Sequence, residues 1–284
     1  MSGSLNLTQR LVDFRGQPAI TITAPDGSTA TIALHGATVL SWVPAGGKER
    51  LYLSDTAVFD GAMPIRGGIP VIFPQFGTRG PLPRHGFART QPWEVTALRE
   101  GSDFALATLR LTPNAATRAV YPHAFQLELT AMVSAGRLDI ELEILNTGNA
   151  PMEFSGALHT YLRVSDVETV QLEGLEGLRY LDAVRGEDKI ERASELIVED
   201  EVDRVYFSSR GALLREPHRA LLVQNDGFPD LVVWNPWEHK CAAIADLPRD
   251  GFRRFLCVES ALVEAPVTLA GGEEWVGRQT LSVH

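Results

Sequence analysis

Cysteine is scarce in this chain of 284 residues, which has only Cys241 and Cys257, and the two do not form a CxxC motif. A disulfide framework is therefore not expected, and each thiol, set in an apolar run, is predicted to be buried and free. Long hydrophobic runs are also missing, since no stretch approaches the ~20 apolar residues of a membrane helix. The first ten residues, MSGSLNLTQR, lack the apolar core of a signal peptide. We therefore expect a cytosolic protein with no membrane partner.

An excess of positive charge is missing as well. Lys and Arg number 26 against 36 Asp and Glu, which gives a formal net charge of −10. An acidic chain is a poor partner for nucleic acid. A small anionic ligand remains compatible with this composition, because a local cluster of arginines can override the overall sign. The seven histidines show no HxH or HExxH spacing, and we find no EF-hand or nucleotide motif, so we expect neither a metal nor another cofactor.

Long amphipathic helix patterns are nearly absent, and short runs rich in Val, Ile, Leu and Thr alternate with turn formers such as Pro25-Asp26-Gly27. Within Arg137–Ile144, four aliphatic residues alternate with polar ones, which is typical of a half-buried antiparallel strand. The predicted strands are Ala19–Thr23, Ala30–Leu34, Ala105–Thr112, Gln126–Val133, Leu138–Leu145, Leu221–Gln224, Leu231–Trp234, Ala242–Asp246 and Phe255–Ser260.

Many short strands at regular spacing predict an all-β sandwich or barrel. No low-complexity linker and no clear internal repeat divides the chain. The acidic stretch Glu187–Asp203 is interpreted as a long excursion rather than a domain boundary. We therefore expect residues 1–284 to form a single domain, and we expect a monomer.

The segment Met63–Arg89, MPIRGGIPVIFPQFGTRGPLPRHGFAR, is the most unusual in the chain, with five prolines and five glycines. Such a segment cannot be a regular strand or helix throughout, and an irregular loop of this kind can line a pocket. Its four arginines have the planar fork that suits a phosphate or carboxylate. They are Arg66, Arg79, Arg84 and Arg89. Each of them, taken alone, is more often a solvated surface residue, although Arg66 lies between Pro64 and a Gly-Gly pair.

Glu259 is the strongest single-residue anomaly, since it lies in the run Phe255–Ala261 with apolar residues on both faces. That pattern is typical of a central strand covered on both sides. A carboxylate there is costly unless it is paired or used, and desolvation would raise its pKa toward the working range of a general base. The alternative is a buried ion pair with an arginine.

Other polar residues are weaker candidates. His159 lies in an apolar, strand-like run, and alone it would more often be a hydrogen-bonded core histidine. His85 lies in the Pro/Gly-rich segment and can exchange a proton near neutrality. Asp203 could accept a hydrogen bond from a sugar hydroxyl, but a turn aspartate has the same pattern.

Six motifs follow one another between Arg66 and Ala261: RGGIPVIFPQFG, LPRHGFAR, ALHTYLRV, DRVY, WNPW and FLCVESA. Together they resemble the hexose-6-phosphate mutarotase (glucose-6-phosphate 1-epimerase) branch of the aldose 1-epimerase superfamily. The resemblance implies a galactose mutarotase-like β-supersandwich, largely antiparallel and with few short helices. It also implies cofactor-free interconversion of the α and β anomers of an aldohexose 6-phosphate, with glucose 6-phosphate as the expected substrate.

The resemblance also implies a role for each matching residue. His159 would be the general acid toward the ring oxygen and Glu259 the base toward the anomeric hydroxyl. The phosphate would be held by Arg66 and Arg89. The remaining matches, Arg84, His85 and Asp203, would bind substrate.

Two other functions stay open at this point. A mutarotase for neutral aldoses would have no use for the arginines, and a non-catalytic sugar-phosphate-binding protein would have no use for a glutamate inside an apolar strand. The spacing of 100 positions does not show that His159 and Glu259 meet, so only the resemblance pairs them.

Overall fold

The computed structural model describes residues 10–284, and its regular secondary structure is almost entirely antiparallel strands in three sheets. The smallest sheet has four strands in sequence order, numbered along the chain as β1 (Leu11–Phe14), β2 (Gln17–Thr23), β3 (Thr29–Ala33) and β4 (Val39–Val43). Each of its pairings is an antiparallel connection between neighbours in the chain. Within residues 10–284, no helix is both long and apolar enough to cross a membrane.

The second sheet has eight strands and carries the candidate site. They are β5 (Val71–Ile72), β10 (Met152–Leu158), β11 (Tyr161–Arg163), β13 (Arg179–Asp182), β14 (Glu187–Ile190), β16 (Val202–Tyr206), β19 (Asp230–Asn235) and β20 (Phe255–Leu269). Their order across the sheet is β14-β13-β16-β19-β20-β10-β5, and β11 also pairs with β20. The acidic stretch at 187–203 contains the edge strand β14 of this sheet and the start of β16.

The third sheet has nine strands. They are β6 (Glu94–Glu100), β7 (Phe104–Leu111), β8 (Phe125–Ser134), β9 (Arg137–Asn146), β12 (Gln171–Glu173), β15 (Glu195–Leu196), β17 (Ala212–Glu216), β18 (Arg219–Asp226) and β21 (Glu274–Val283). Their order is β15-β12-β17-β18-β21-β9-β8-β7-β6. The aliphatic face predicted for β9 is confirmed, since Leu138, Ile140, Leu142 and Ile144 are buried.

β20 is the central strand of the second sheet, with β19 on one side and β10 and β11 on the other. Its first nine residues, Phe255–Val263, are all buried, because other elements cover both faces of the sheet here. Apolar side chains from all three sheets contribute to one large core, and two smaller clusters lie beside it. A polar side chain on this part of β20 therefore has access to solvent only through a cavity.

Two short α-helices occur among the described residues: α1 (Ala115–Val120) and α2 (Trp237–Ala242). The prediction of a strand at Ala242–Asp246 is wrong, because this segment forms the last residue of α2 and the turn after it. No strand within residues 10–284 pairs with it, and Ala242, Ala243 and Ala245 are exposed. A run of small apolar residues suited a helix end as well as a strand, since alanine is the strongest helix former.

Candidate active site

A cavity of about 430 Å³ opens over the second sheet. This volume suits one small ligand. Strands β16, β19 and β20 and His159, between β10 and β11, supply its floor, and the Pro/Gly-rich segment and α2 supply its walls. The charged and imidazole side chains that line it are Arg66, Arg79, Arg84, His85, Arg89, His159, Asp203, Lys240 and Glu259. All seven residues singled out in the sequence therefore surround one cavity.

The register of the sheet brings His159 and Glu259 together. Leu158 lies opposite Ser260, and Tyr161 lies opposite Cys257. The residue between, His159, therefore faces Glu259, and its Nε2 lies 3.3 Å from Glu259 Oε1. His159 lies at the break between β10 and β11, where its backbone N–H donates to the Pro70 carbonyl instead of to β20.

Burial shifts the pKa of both members of this pair toward the uncharged form. Glu259 is 1 % exposed, and burial raises its pKa well above the ordinary range of a glutamate, with Asp203 acting in the same direction. Burial lowers the pKa of His159 well below that of a free imidazole, and the charges of Arg89 and Arg66 add to this effect. Two groups with converging proton affinities, 3.3 Å apart, are suited to exchange protons with one small ligand.

Several polar atoms at the floor have no hydrogen-bond partner within residues 10–284, although buried polar atoms usually have one. They are Glu259 Oε2, His159 Nδ1 and Trp234 Nε1, and Arg89 Nε in the wall also lacks one. The His159 ring itself is held by packing, since it stacks on Tyr161 with centroids 4.8 Å apart and meets His85 and Trp234 edge to face. Packing thus fixes the imidazole ring of His159, while buried polar atoms beside it can still hydrogen-bond a ligand.

Arg66 is fixed by two polar contacts at the side of the cavity. Its Nε donates to Asp246 Oδ1 at 3.1 Å, and its Nη1 donates to the Tyr161 hydroxyl at 3.2 Å. Burial alone would lower the pKa of Arg66, but Tyr161 and Asp246 outweigh it and the pKa is raised. Gly67 follows at φ 110°, where an added Cβ would lie 2.4 Å from the Tyr52 carbonyl oxygen. The Gly therefore lets the backbone turn closely and aim Arg66 at the cavity.

The second half of the Pro/Gly-rich segment carries Arg84, His85 and Arg89. Buried Gln75 ties this loop together, because its amide donates to the Gly77 and Leu82 carbonyls while its oxygen accepts from Leu82 N–H. Arg89 Nη2 donates to the Arg84 carbonyl at 2.8 Å. Burial and the charges of Arg66 and Arg84 lower the pKa of Arg89 to about 10, with Tyr161 opposing them. The guanidinium stays charged at neutral pH.

His85 is held in one tautomer. Its Nδ1 accepts a hydrogen bond from Gly77 N–H at 3.3 Å, so Nε2 carries the ring hydrogen. Burial lowers the pKa of His85, and His159 and the arginines act in the same direction. The residue has φ 67°, in the left-handed region that is costly for a side chain with a Cβ. The structure therefore maintains a neutral N–H donor beside His159.

Asp203 lies on β16 opposite Trp234, across the floor from the arginines. Burial raises its pKa, and nearby Lys240 and Arg84 oppose that shift. Lys240, on α2, pairs with Glu201 and has its Nζ 4.0 Å from Asp203 Oδ2. The carboxylate is thus available at the cavity as a hydrogen-bond acceptor.

The cavity is basic in an acidic protein. Five cationic side chains line it against two carboxylates, those of Asp203 and Glu259. A cluster of guanidinium groups with little competing negative charge is a binding site for a small anion. The local excess of arginine anticipated from the sequence is therefore present.

Three residues at the cavity were not singled out as site residues in the sequence: Tyr161, Lys240 and Asp246. Tyr161 lies two positions after His159 and shares its face of the strand, so the alternation could have indicated it. Lys240 lies on α2. Asp246 lies in the turn after it, in a segment that the sequence pattern predicts as a strand. The helix sets their positions, and no periodic pattern in the sequence predicts that helix.

One set of potential metal ligands also occurs here, among the described residues. Atoms of His159, Cys257 and Glu259 lie within 4.8 Å of one another, and all three residues are buried. Their spacing in the sequence matches none of the compact metal motifs.

Comparisons with other proteins agree with this geometry. A family model described as aldose 1-epimerase matches residues 18–282. A protein of Cenchrus ciliaris provisionally named glucose-6-phosphate 1-epimerase is 39 % identical over 270 residues, covering 89 % of this chain and 80 % of the relative. A protein of Escherichia coli (strain K12) with the same provisional name is 35 % identical over 239 residues, covering 82 % and 79 %.

A crystal structure of a provisionally named mutarotase (YeaD) from Salmonella typhimurium superposes with a TM-score of 0.88 at 31 % identity, covering 96 % of this chain and 92 % of that one. The predicted antiparallel, galactose mutarotase-like β-supersandwich is thereby confirmed.

Proposed function

The chain belongs to the aldose 1-epimerase family, and we propose that it interconverts the α and β anomers of an aldohexose 6-phosphate, with glucose 6-phosphate as its substrate. Membership makes it a sugar epimerase of the mutarotase class. The observation that carries the phosphorylated substrate is the ring of basic side chains around an acid–base pair in one cavity. A neutral sugar has no negative charge with which those side chains could pair.

In the proposed reaction, Glu259 takes the proton of the anomeric hydroxyl while His159 gives a proton to the ring oxygen. The bond between C1 and the ring oxygen breaks, and an open-chain aldehyde forms. Rotation about C1–C2 then presents the other face of the aldehyde to the C5 hydroxyl. Reclosure reverses the roles, since His159 takes the hydroxyl proton and Glu259 returns one to O1. Protons and bonds balance over the cycle, so no cofactor is consumed.

The shared proton explains why the pair is buried. The reactive states are the ion pair, with His159 protonated and Glu259 ionised, and its neutral counterpart after transfer. Burial disfavours the ion pair and so brings the two states closer in free energy. Each proton transfer is then nearly balanced in both directions, as a reversible reaction between two similar anomers requires.

The remaining residues would hold the ring in place. Arg66 and Arg89, with Arg84 at the rim, would bind the phosphate and anchor C6. Asp203 would accept from sugar hydroxyls, and His85 would donate through Nε2. Anchoring both ends of the sugar lets the reacting atoms stay at the pair while the chain opens.

The test compares glucose 6-phosphate with glucose in anomer-exchange NMR, for the native protein and for Arg66→Ala. We expect kcat/KM to favour the phosphorylated sugar strongly in the native protein and much less in the variant. Equal efficiency on the two sugars would overturn the phosphate assignment and indicate a mutarotase for neutral aldoses. Binding of glucose 6-phosphate with exchange at the spontaneous rate would indicate a binding protein.

A further inference from the structure

Cys257 lies directly beneath the acid–base pair and has no part in the proposed reaction. It precedes Glu259 by two residues on β20, so both side chains are on the same face of the strand. Across the sheet it lies opposite Tyr161 on one side and Trp234 on the other. Its thiol is buried and free. Cys257 thus adds a sulfur ligand to a site that already holds an imidazole and a carboxylate.

Two further features mark this place as able to accept a ligand atom. Glu259 Oε2, on the carboxylate that faces His159 Nε2, is buried and has no hydrogen-bond partner within residues 10–284. The ligand atoms of His159, Cys257 and Glu259 all lie within 4.8 Å of one another. A buried carboxylate oxygen without a donor gains free energy from a proton, a hydrogen bond or a cation.

We propose that His159, Cys257 and Glu259 form an inhibitory site for a borderline-soft divalent cation, with Zn²⁺ as the representative ion. Thiolate, imidazole and carboxylate are the three ligand types that Zn²⁺ takes in proteins. The three protein ligands leave the fourth position of a tetrahedral ion open to the cavity, where water or a sugar oxygen can bind.

The spacing suits such an ion. Two ligands at 2.0–2.1 Å from a tetrahedral zinc lie about 3.3 Å apart, and His159 Nε2 and Glu259 Oε1 are separated by 3.3 Å. The sulfur of Cys257 needs a shift on the order of 1 Å to reach 2.3 Å from the same centre. Rotation about one side-chain bond can supply such a shift.

Charge limits the strength of this site and makes the binding reversible. The guanidinium groups of Arg66, Arg84 and Arg89 face the same cavity and repel a cation. Zn²⁺ binds the thiolate form of a cysteine, so the ion must displace a proton to bind the Cys257 sulfur.

Occupancy of this site would stop anomer exchange. The ion would take the lone pairs with which His159 and Glu259 accept protons, and neither residue could then act as a base. Metal binding by the three residues does not rest on the proposed function, whereas inhibition does. The two are therefore measured separately.

Binding is measured with Co²⁺ as a spectroscopic substitute for Zn²⁺. A thiolate ligand gives Co²⁺ an intense near-ultraviolet charge-transfer band, and a tetrahedral site gives strong visible bands. We expect both in the native protein, and expect Zn²⁺ to displace them. The charge-transfer band should be lost in Cys257→Ser and kept in Cys241→Ser, which changes the other buried thiol.

Inhibition is measured by anomer exchange on glucose 6-phosphate with increasing Zn²⁺, and reversed with a chelator. Cys257→Ser should keep basal exchange and raise the half-inhibitory Zn²⁺ concentration by at least about tenfold, since even outer-shell partners of a metal usually contribute 10–100-fold to affinity. Cys241→Ser should match the native protein. Thermal melts of both variants check folding, and Cys257→Ala replaces Cys257→Ser if the latter does not fold.

The outcomes separate the two proposals. Zinc-soaked crystals with an anomalous peak bonded to the Cys257 sulfur support the site even if the protein proves inactive on sugars. Equal Zn²⁺ sensitivity of the native protein and a folded Cys257 variant would overturn the site, as would a Co²⁺ complex without a thiolate band. Exchange at the spontaneous rate without metal would overturn the proposed function alone.

Discussion

The floor and the wall of the cavity are built in different ways. The floor consists of regular strands, where the ladder between β10, β11 and β20 fixes His159 opposite Glu259. The wall is an irregular loop held by side-chain hydrogen bonds, such as those from Gln75 and those that Asp246 and Tyr161 accept from Arg66. Glu259 Oε2 and His159 Nδ1 at the floor lack partners within residues 10–284, whereas Arg66 in the wall is braced twice.

This difference indicates a division of labour. A residue set in a central strand is positioned accurately and kept from water, which suits proton transfer. An arginine braced in the wall can bind an anion without contacting the reacting atoms. We therefore expect changes at the floor to lower kcat and changes at the wall to raise KM for the phosphorylated sugar.

The largest effect should come from the floor. Glu259→Gln removes one proton acceptor at nearly constant volume, and His159→Asn removes the other with a smaller side chain. With either change, kcat for glucose 6-phosphate should fall by about 10²–10⁴-fold. KM should change little, since the arginines are untouched. Glu264→Gln is the matched control, because Glu264 lies on the same strand but is exposed. If Glu259→Gln exchanged anomers at the native rate, Glu259 would not be a catalytic base.

At the wall, Arg66→Ala should raise KM for glucose 6-phosphate by about 10- to 100-fold, because hydrogen bonds to charged groups contribute about 1.5–3 kcal/mol. Its kcat/KM on glucose should change little. Arg99→Ala, at an exposed arginine on β6, controls for loss of overall positive charge. An equal loss of kcat on glucose and on glucose 6-phosphate would show that Arg66 acts on the acid–base pair instead.

A smaller effect is expected at the brace behind the wall. Asp246→Asn keeps the shape of the side chain but removes its charge, so Arg66 should be held less firmly. KM for the phosphorylated sugar should rise by about 2- to 5-fold, in line with a partly exposed ion pair, while kcat is unchanged. A larger effect on Asp246→Asn than on Arg66→Ala would indicate that Asp246 contacts the substrate itself.

The smallest effect should be the dependence on pH near neutrality. The pair works while it holds one shared proton. Burial and nearby arginines lower the pKa of His159, so uptake of a second proton should reduce kcat only below about pH 6.5. Burial raises the pKa of Glu259, so loss of the shared proton should reduce kcat only well above about pH 4.3.

The acid limb of kcat at saturating glucose 6-phosphate should therefore lie below about pH 6.5. Arg89→Ala should move the acid limb to higher pH, because a cation that lowers the pKa of His159 is removed. An acid limb centred above pH 6.5 in the native protein would contradict the burial of the pair.

The floor was partly predictable from the sequence. Glu259 was recognised because a carboxylate within Phe255–Ala261 interrupts a run that is apolar on both faces, and the structure places it on the buried part of β20. The alternation in β9 and the all-β fold followed from the same period of two. These predictions succeeded because one local pattern determined each of them.

What the sequence could not supply was proximity across the chain. The contact between His159 and Glu259 depends on a strand register that joins positions 100 residues apart. Asp246 contacts Arg66 although the two residues are 180 positions apart in the sequence. It lies in a turn that the sequence pattern predicts as a strand. Periodicity reports burial along one element, and it holds no information on which elements become neighbours.

The most direct test of the account is two-dimensional exchange NMR on the anomeric protons of glucose 6-phosphate, with the native protein and with Glu259→Gln at equal concentration. The account predicts exchange cross-peaks that grow with native protein, and a rate near the spontaneous one with the folded variant. Exchange at the spontaneous rate with the native protein, or full exchange with Glu259→Gln, would contradict it.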